Sequence, residues 1–178
     1  MEYESDVLSL LVQQEVALGR LYDFFAATPG TGEAPWHFLA YDEERHARAL
    51  ASLRSIPGAV EWLGTDSGIS PSSVRCSIEY VDSQKVRAET HGVTAVQAVA
   101  IALDFETALI ERQFSQAGVP ESFVLRRVLE SLGSETEKHR RALVKALEAA
   151  RQEPGTSEWC KAASFYGRKA ARIPVILV

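Results

Sequence analysis

Proline placement constrains this chain more than any other feature. The seven prolines fall at positions 29, 35, 57, 71, 120, 154 and 174. They leave four long proline-free stretches, 1–28, 36–56, 72–119 and 121–153. Proline lacks the backbone N–H and clashes with the preceding turn, so helix interiors exclude it. Each stretch is read as holding one long helix. In the first, over about 4–27, Leu8, Leu11, Glu15, Leu18, Tyr22 and Phe25 recur at spacings of 3, 4, 3, 4, 3, the seam of a helix packed in a bundle. In the second, which opens at Pro35 and runs to about Ser55, Trp36, Leu39, Glu43, His46, Leu50 and Leu53 repeat that spacing, and Pro57-Gly58 stops it. A third helix runs from the N-cap Thr94 to about Ala117 on a seam of Val99, Leu103, Glu106 and Ile110. A fourth runs from near Pro120 to about Gln152 on Leu125, Val128, Leu132, His139 and Leu143.

The sequence therefore predicts an all-α fold, a four-helix bundle over 1–153, followed by a C-terminal tail at 154–178. Residues 58–92, rich in glycine and serine, read as a long crossover between the second and third helices, mostly loop with at most a short helix inside. The halves are weakly alike: Phe38 to Leu50 parallels Ser131 to Leu143, with His46 matching His139. The tail reads as a short amphipathic helix around Trp159, Phe165 and Tyr166 and then an extended end.

Composition narrows the function classes. The 178 residues carry a net charge of −5, which gives no electrostatic case for nucleic acid or an anionic membrane. The two cysteines, Cys76 and Cys160, are too far apart for a disulfide framework, a zinc ribbon or a clustered-cysteine iron centre. An acidic start and the lack of a long apolar run point away from a signal peptide or a membrane span, so a cytoplasmic protein with free cysteines is expected.

Charge sits where a core belongs. Glu15, Glu43, His46, Glu106 and His139 lie on the seams, each near the middle of its helix. A buried, unpaired carboxylate costs several kcal/mol, by roughly the usual range, or is forced neutral. Carboxylates and imidazoles gathered at one level neutralise one another around a cation. Glu43 and His46 are three apart and share a helix face. Oxygen and imidazole donors suit iron, manganese or zinc, and two bridged ions use all of them.

Glu15 with Tyr22 seven residues on, Phe38-Leu39-Ala40-Tyr41-Asp42-Glu43-Glu44-Arg45-His46, and Ala102-Leu103-Asp104-Phe105-Glu106 followed by Phe114 together resemble the ferritin-like di-iron carboxylate family, in its rubrerythrin-like branch without a rubredoxin domain. The resemblance covers about residues 4–152. It implies two iron ions, with Glu15 and Glu106 as terminal ligands, Glu43 bridging, and His46 and His139 completing one metal each. It also implies oxidation of Fe(II), or reduction of peroxide or oxygen, with an external electron donor for a peroxidase. An organic substrate fits the same ligand set, and so does an iron-binding bundle without turnover. A homodimer is expected.

The fourth helix departs from the family pattern. Thr136, not glutamate, stands three residues before His139. Glu137 is rotated about 200° from His139 and points away. Glu135, four before it, is on a usable face and is expected to replace the missing ligand, through a π-bulge eased by Gly133. Tyr22 is expected to hydrogen-bond a ligand carboxylate. His37 and His91 read as structural or solvent-facing, and Glu44, Arg45 and Arg48 as a solvated face.

Overall fold

A computed structural model describes residues 6–32, 34–115 and 120–152. The described residues are helical, with no strand among them. The helices are α1 (Val7–Ala27), α2 (Trp36–Ser52), α3 (Ala59–Thr65), α4 (Pro71–His91), α5 (Ala95–Ser115) and α6 (Phe123–Gln152), with a 3₁₀ turn at Leu53–Ser55. The expected tail at 154–178 lies outside the described residues.

Local chemistry explains most of the boundaries. Asp6 caps α1 by accepting from the Ser9 backbone N–H at 2.7 Å. The α1–α2 turn closes on Thr31, whose hydroxyl donates to the Phe25 carbonyl at 2.7 Å. Gly32 in that turn has φ 77°, and a Cβ there would lie 3.0 Å from Ala95 Cβ, so a side chain meets both strain and a neighbour. Thr94 and Gln97 form a reciprocal cap at the start of α5. The Thr94 hydroxyl accepts from the Gln97 N–H at 3.3 Å, and Gln97 Oε1 accepts from the Thr94 N–H at 3.0 Å. Helix α6 starts later than expected. Its first residue is Phe123 rather than one near Pro120, and its cap is Ser122, which accepts from the Leu125 N–H at 3.3 Å.

The crossover is where the sequence expectation fails. Residues 58–92 hold two helices, and α4 is as long as α1. Ser70-Pro71 is a helix start, with proline in the first turn where its missing N–H is harmless. Only Val74, Val81 and Ala88 of α4 are buried, on a seven-residue repeat, with Ile78 half-buried between them. That stripe packs on α1, and Gln14 of α1 donates to Ser77 across the contact at 2.9 Å. Gly92, at φ 74°, ends the helix. Among the described residues, the stretch after Pro71 therefore holds two helices separated at Gly92, not one.

Helix α1 packs along α2, and α5 along α6. Two apolar clusters fill the interior. One gathers Leu18, Phe25, Trp36, Leu39, Val99, Phe105 and Leu143. The other gathers Leu8, Leu50, Leu53, Leu63, Val74, Leu125 and Leu132. Along α1, α2 and α6 the polar seam residues fall between the stretches that feed the two clusters. No described helix is long and apolar enough to cross a membrane.

Candidate metal centre

The layer between the clusters is polar and closed to solvent. Glu43, His46, Glu106, Thr136 and His139 are all at most 3 % exposed, and the Glu15 side chain is 12 % exposed. Five side chains expected from the sequence meet here. Glu15, Glu43 and His46 bring one donor atom each to within 4.8 Å of one another, and so do Glu43, Glu106 and His139. Glu43 belongs to both groups. Its Oε2 lies 3.2 Å from His46 Nδ1, and its Oε1 lies 3.2 Å from His139 Nδ1. Glu15 Oε2 lies 3.7 Å from His46 Nδ1, and Glu106 Oε1 lies 3.5 Å from His139 Nδ1. The imidazoles stack with ring centroids 5.5 Å apart.

The donors fit a metal by a direct criterion. Glu15 Oε2, Glu43 Oε1, Glu106 Oε2 and His139 Nδ1 are buried without a hydrogen-bond partner. Buried polar atoms are ordinarily paired, so four orphans converging on one level are groups that could hold a cation. The same crowding shifts the protonation of these groups. Burial, then the neighbouring Glu43 carboxylate, pushes Glu15 up to about 8. Burial alone would depress His46, but Glu15 and Glu43 outweigh it and raise it to about 11. His139 is likewise raised, against burial, by Glu106 and Glu43 to about 10. The neighbouring Glu15 carboxyl and the His139 and His46 imidazoles outweigh burial and hold Glu43 below the usual carboxylate range.

The outer ring nitrogens reveal a second layer. His139 Nε2 lies 3.1 Å from Asp42 Oδ2, and His46 Nε2 lies 2.8 Å from Glu135 Oε2. Each carboxylate stands four residues before the histidine of its own helix, yet holds the histidine of the opposite helix. Such a carboxylate fixes the tautomer and leaves Nδ1 free to bind a metal. Arg45 ties the two together, 2.7 Å from Asp42 and 2.9 Å from Glu135. Tyr22, fully buried, donates to Glu106 Oε1 at 2.8 Å, a carboxylate bond of the kind expected for it.

Three expectations change. Glu135 does reach the site, but on His46 Nε2 and outside both donor groups. No π-bulge brings it inward, since α6 is α-helical from Phe123 to Gln152. Three residues before His139 stands Thr136, buried, its hydroxyl donating to the Leu132 carbonyl at 3.0 Å. Arg45 is not part of a merely solvated face, although Glu44 and Arg48 are, pairing at 3.1 Å in the open. Asp42 was not singled out. Its signal was the internal parallel that matches Asp42 to Glu135 when His46 is laid on His139. His37 and His91 are exposed, and Glu137 points away onto Arg140 and Arg141.

Comparison with protein-family models, with curated proteins and with solved structures finds no match to this chain. The function rests on the site itself.

Proposed function

We propose that this chain is a ferritin-like, two-metal carboxylate protein that oxidises Fe(II) or reduces peroxide or oxygen at a bridged iron pair. The observation that carries the reading is the pair of buried donor groups sharing Glu43. Glu15 and His46 complete one position, Glu106 and His139 the other, and Glu43 spans both. Two iron ions, or manganese or zinc in their place, supply the electron-transfer or Lewis-acid chemistry. The chain's own residues set the rest. Asp42 and Glu135 orient the imidazoles, Tyr22 fixes Glu106, and the two apolar clusters keep bulk water from the ions. For peroxide reduction the electrons come from a separate donor.

A second reading, an iron-binding bundle without turnover, is favoured by Thr136, which leaves the centre one bridge short. One experiment decides between them. Anaerobic loading with Fe(II), followed by iron analysis and then peroxide or oxygen, is expected to give two ions per chain. Rapid growth of ferric charge-transfer absorption should follow. One ion per chain with no oxidant response supports the binding protein, and no bound metal refutes both.

A further inference from the structure

The two open sides of the helix bundle are finished differently. On the α1/α5 side, α4 packs along α1, and its Tyr80 ring meets Phe105 of α5 with centroids 5.3 Å apart. No described helix packs over the α2/α6 side. A groove of about 440 Å³ runs there, walled by Ala49, Phe123, Val124, Val128 and Leu132. Its polar end is formed by His46 and the Arg45–Glu135 pair. Four of the six large hydrophobic residues that are exposed among those described flank this side, Phe38 and Tyr41 on α2 and Phe123 and Val124 at the start of α6. Monomers seldom leave so much apolar surface together unless something covers it.

The chain carries a candidate cover. Ile173-Pro174-Val175-Ile176-Leu177-Val178 has no charged or hydrogen-bonding side chain and belongs to no described helix. Pro174 opposes a helix through the run, and its β-branched residues favour an extended backbone, whose alternate side chains can enter a narrow groove. Pro154-Gly155, directly after α6, reads as a turn that sends the chain back along that helix. Reach is sufficient. Going back from Gln152 to Val128 along α6 covers about 36 Å. The 20 residues 153–172 span about 66 Å when extended. They still span about 48 Å with residues 157–166 wound into the expected amphipathic helix. On the way the chain passes the level of Phe38, whose ring centroid lies 6.2 Å from that of His139. A tether of this kind presents its end at about millimolar effective concentration, well above that of a second copy in dilute solution, so the chain's own segment is favoured as the occupant.

We infer that the segment 173–178 docks in the α2/α6 groove of its own chain, closing that side as α4 closes the other and covering the Arg45–Glu135 layer. The seat uses none of the atoms of the two donor groups, so docking is the same with and without metal.

Hydroxyl-radical footprinting of the full-length protein, read by mass spectrometry, compares the wild type with Leu177→Asp and Val124→Asp over a wide range of protein concentration. Losing one buried leucine side chain should weaken docking by about 10- to 100-fold. Oxidation of Phe123 and Tyr41 should therefore rise in Leu177→Asp, while Tyr80, on α4, stays unchanged. Val124→Asp alters a nearly half-exposed wall position, and an aspartate in the first turn of α6 suits the helix dipole. Backbone amide exchange over 173–178 should be slow in the wild type and fast in that variant. Both effects should be independent of protein concentration. Unchanged oxidation of Phe123 in Leu177→Asp, or exchange over 173–178 as fast in the wild type as in Val124→Asp, overturns the inference. Protection of Phe123 that fades on dilution as a dimer dissociates assigns the groove to a second copy and overturns it as well.

Discussion

Loading the centre with two divalent ions at pH 7 should release close to three protons per chain. The number follows from the metal-free site. His46, raised to about 11, and His139, raised to about 10, are both protonated at that pH, and Glu15, raised to about 8, is mostly so. All three belong to the candidate donor groups, and a bound ion would take the place of each proton. Each displaced proton changes the apparent binding constant about tenfold per pH unit, so three give a slope near a thousandfold per unit. The slope should flatten as pH rises through 8, where Glu15 has lost its proton. Calorimetric titration with zinc in buffers of different ionisation enthalpy reads the proton count directly. Release of fewer than one proton with two ions bound would refute the reasoning, since the imidazoles would then be neutral before metal arrives. The same shifts set the stability of the metal-free chain. The raised groups hold protons more tightly in the folded state, so their contribution is full at low pH. It is lost first as pH rises from 4.5 through about 8 for Glu15. It is lost again from 6.5 through about 10 to 11 for the histidines. Metal should restore stability most strongly at alkaline pH, read as thermal midpoints with and without zinc.

Three further outcomes are specific to single residues. Glu43→Ala should abolish both metal positions, whereas Glu106→Ala should leave one ion per chain, as measured by metal analysis after dialysis. Asp42→Asn and Glu135→Gln should each keep two ions but weaken metal affinity by about 10- to 100-fold, read by chelator competition, because each unfastens an imidazole rather than removing a ligand. Tyr22→Phe leaves Glu106 Oε1 without its donor and should destabilise the metal-free protein by about 1–3 kcal/mol in urea unfolding, with less loss once metal is bound.

Where the chain bears a buried stripe with charge set into it, the sequence was readable. Glu15, Glu43, His46, Glu106 and His139 announce themselves because a carboxylate or imidazole at an apolar register has few other reasons to be there. Helix α4 was not readable in the same way. Its buried face is only one residue wide, and Ser70, Ser72, Ser73 and Ser77 around that stripe look like a loop until Pro71 is taken as a helix start. Glu135 shows a different limit. Spacing along α6 places it on the correct side of the helix, but which nitrogen of which histidine it meets depends on how α2 and α6 are offset, a relation between helices that periodicity within one helix does not hold. Asp42 was hidden for the same reason: it serves the opposite helix.

Glu43 being shared divides the centre unequally between the two halves of the chain. All three donors of one position, Glu15, Glu43 and His46, come from α1 and α2. The other position needs Glu43 from α2 together with Glu106 and His139 from α5 and α6. An ion held by the first group would be local to one hairpin, and only an ion at the second would act as a clasp, closing a loop of more than sixty residues through α3 and α4. If the backbone were cut in the exposed turn around Gly68, the first ion would keep an affinity indifferent to protein concentration. The second would bind as fast as two separate fragments could find each other. One centre would thus report two different things, the folding of a hairpin and the meeting of two halves.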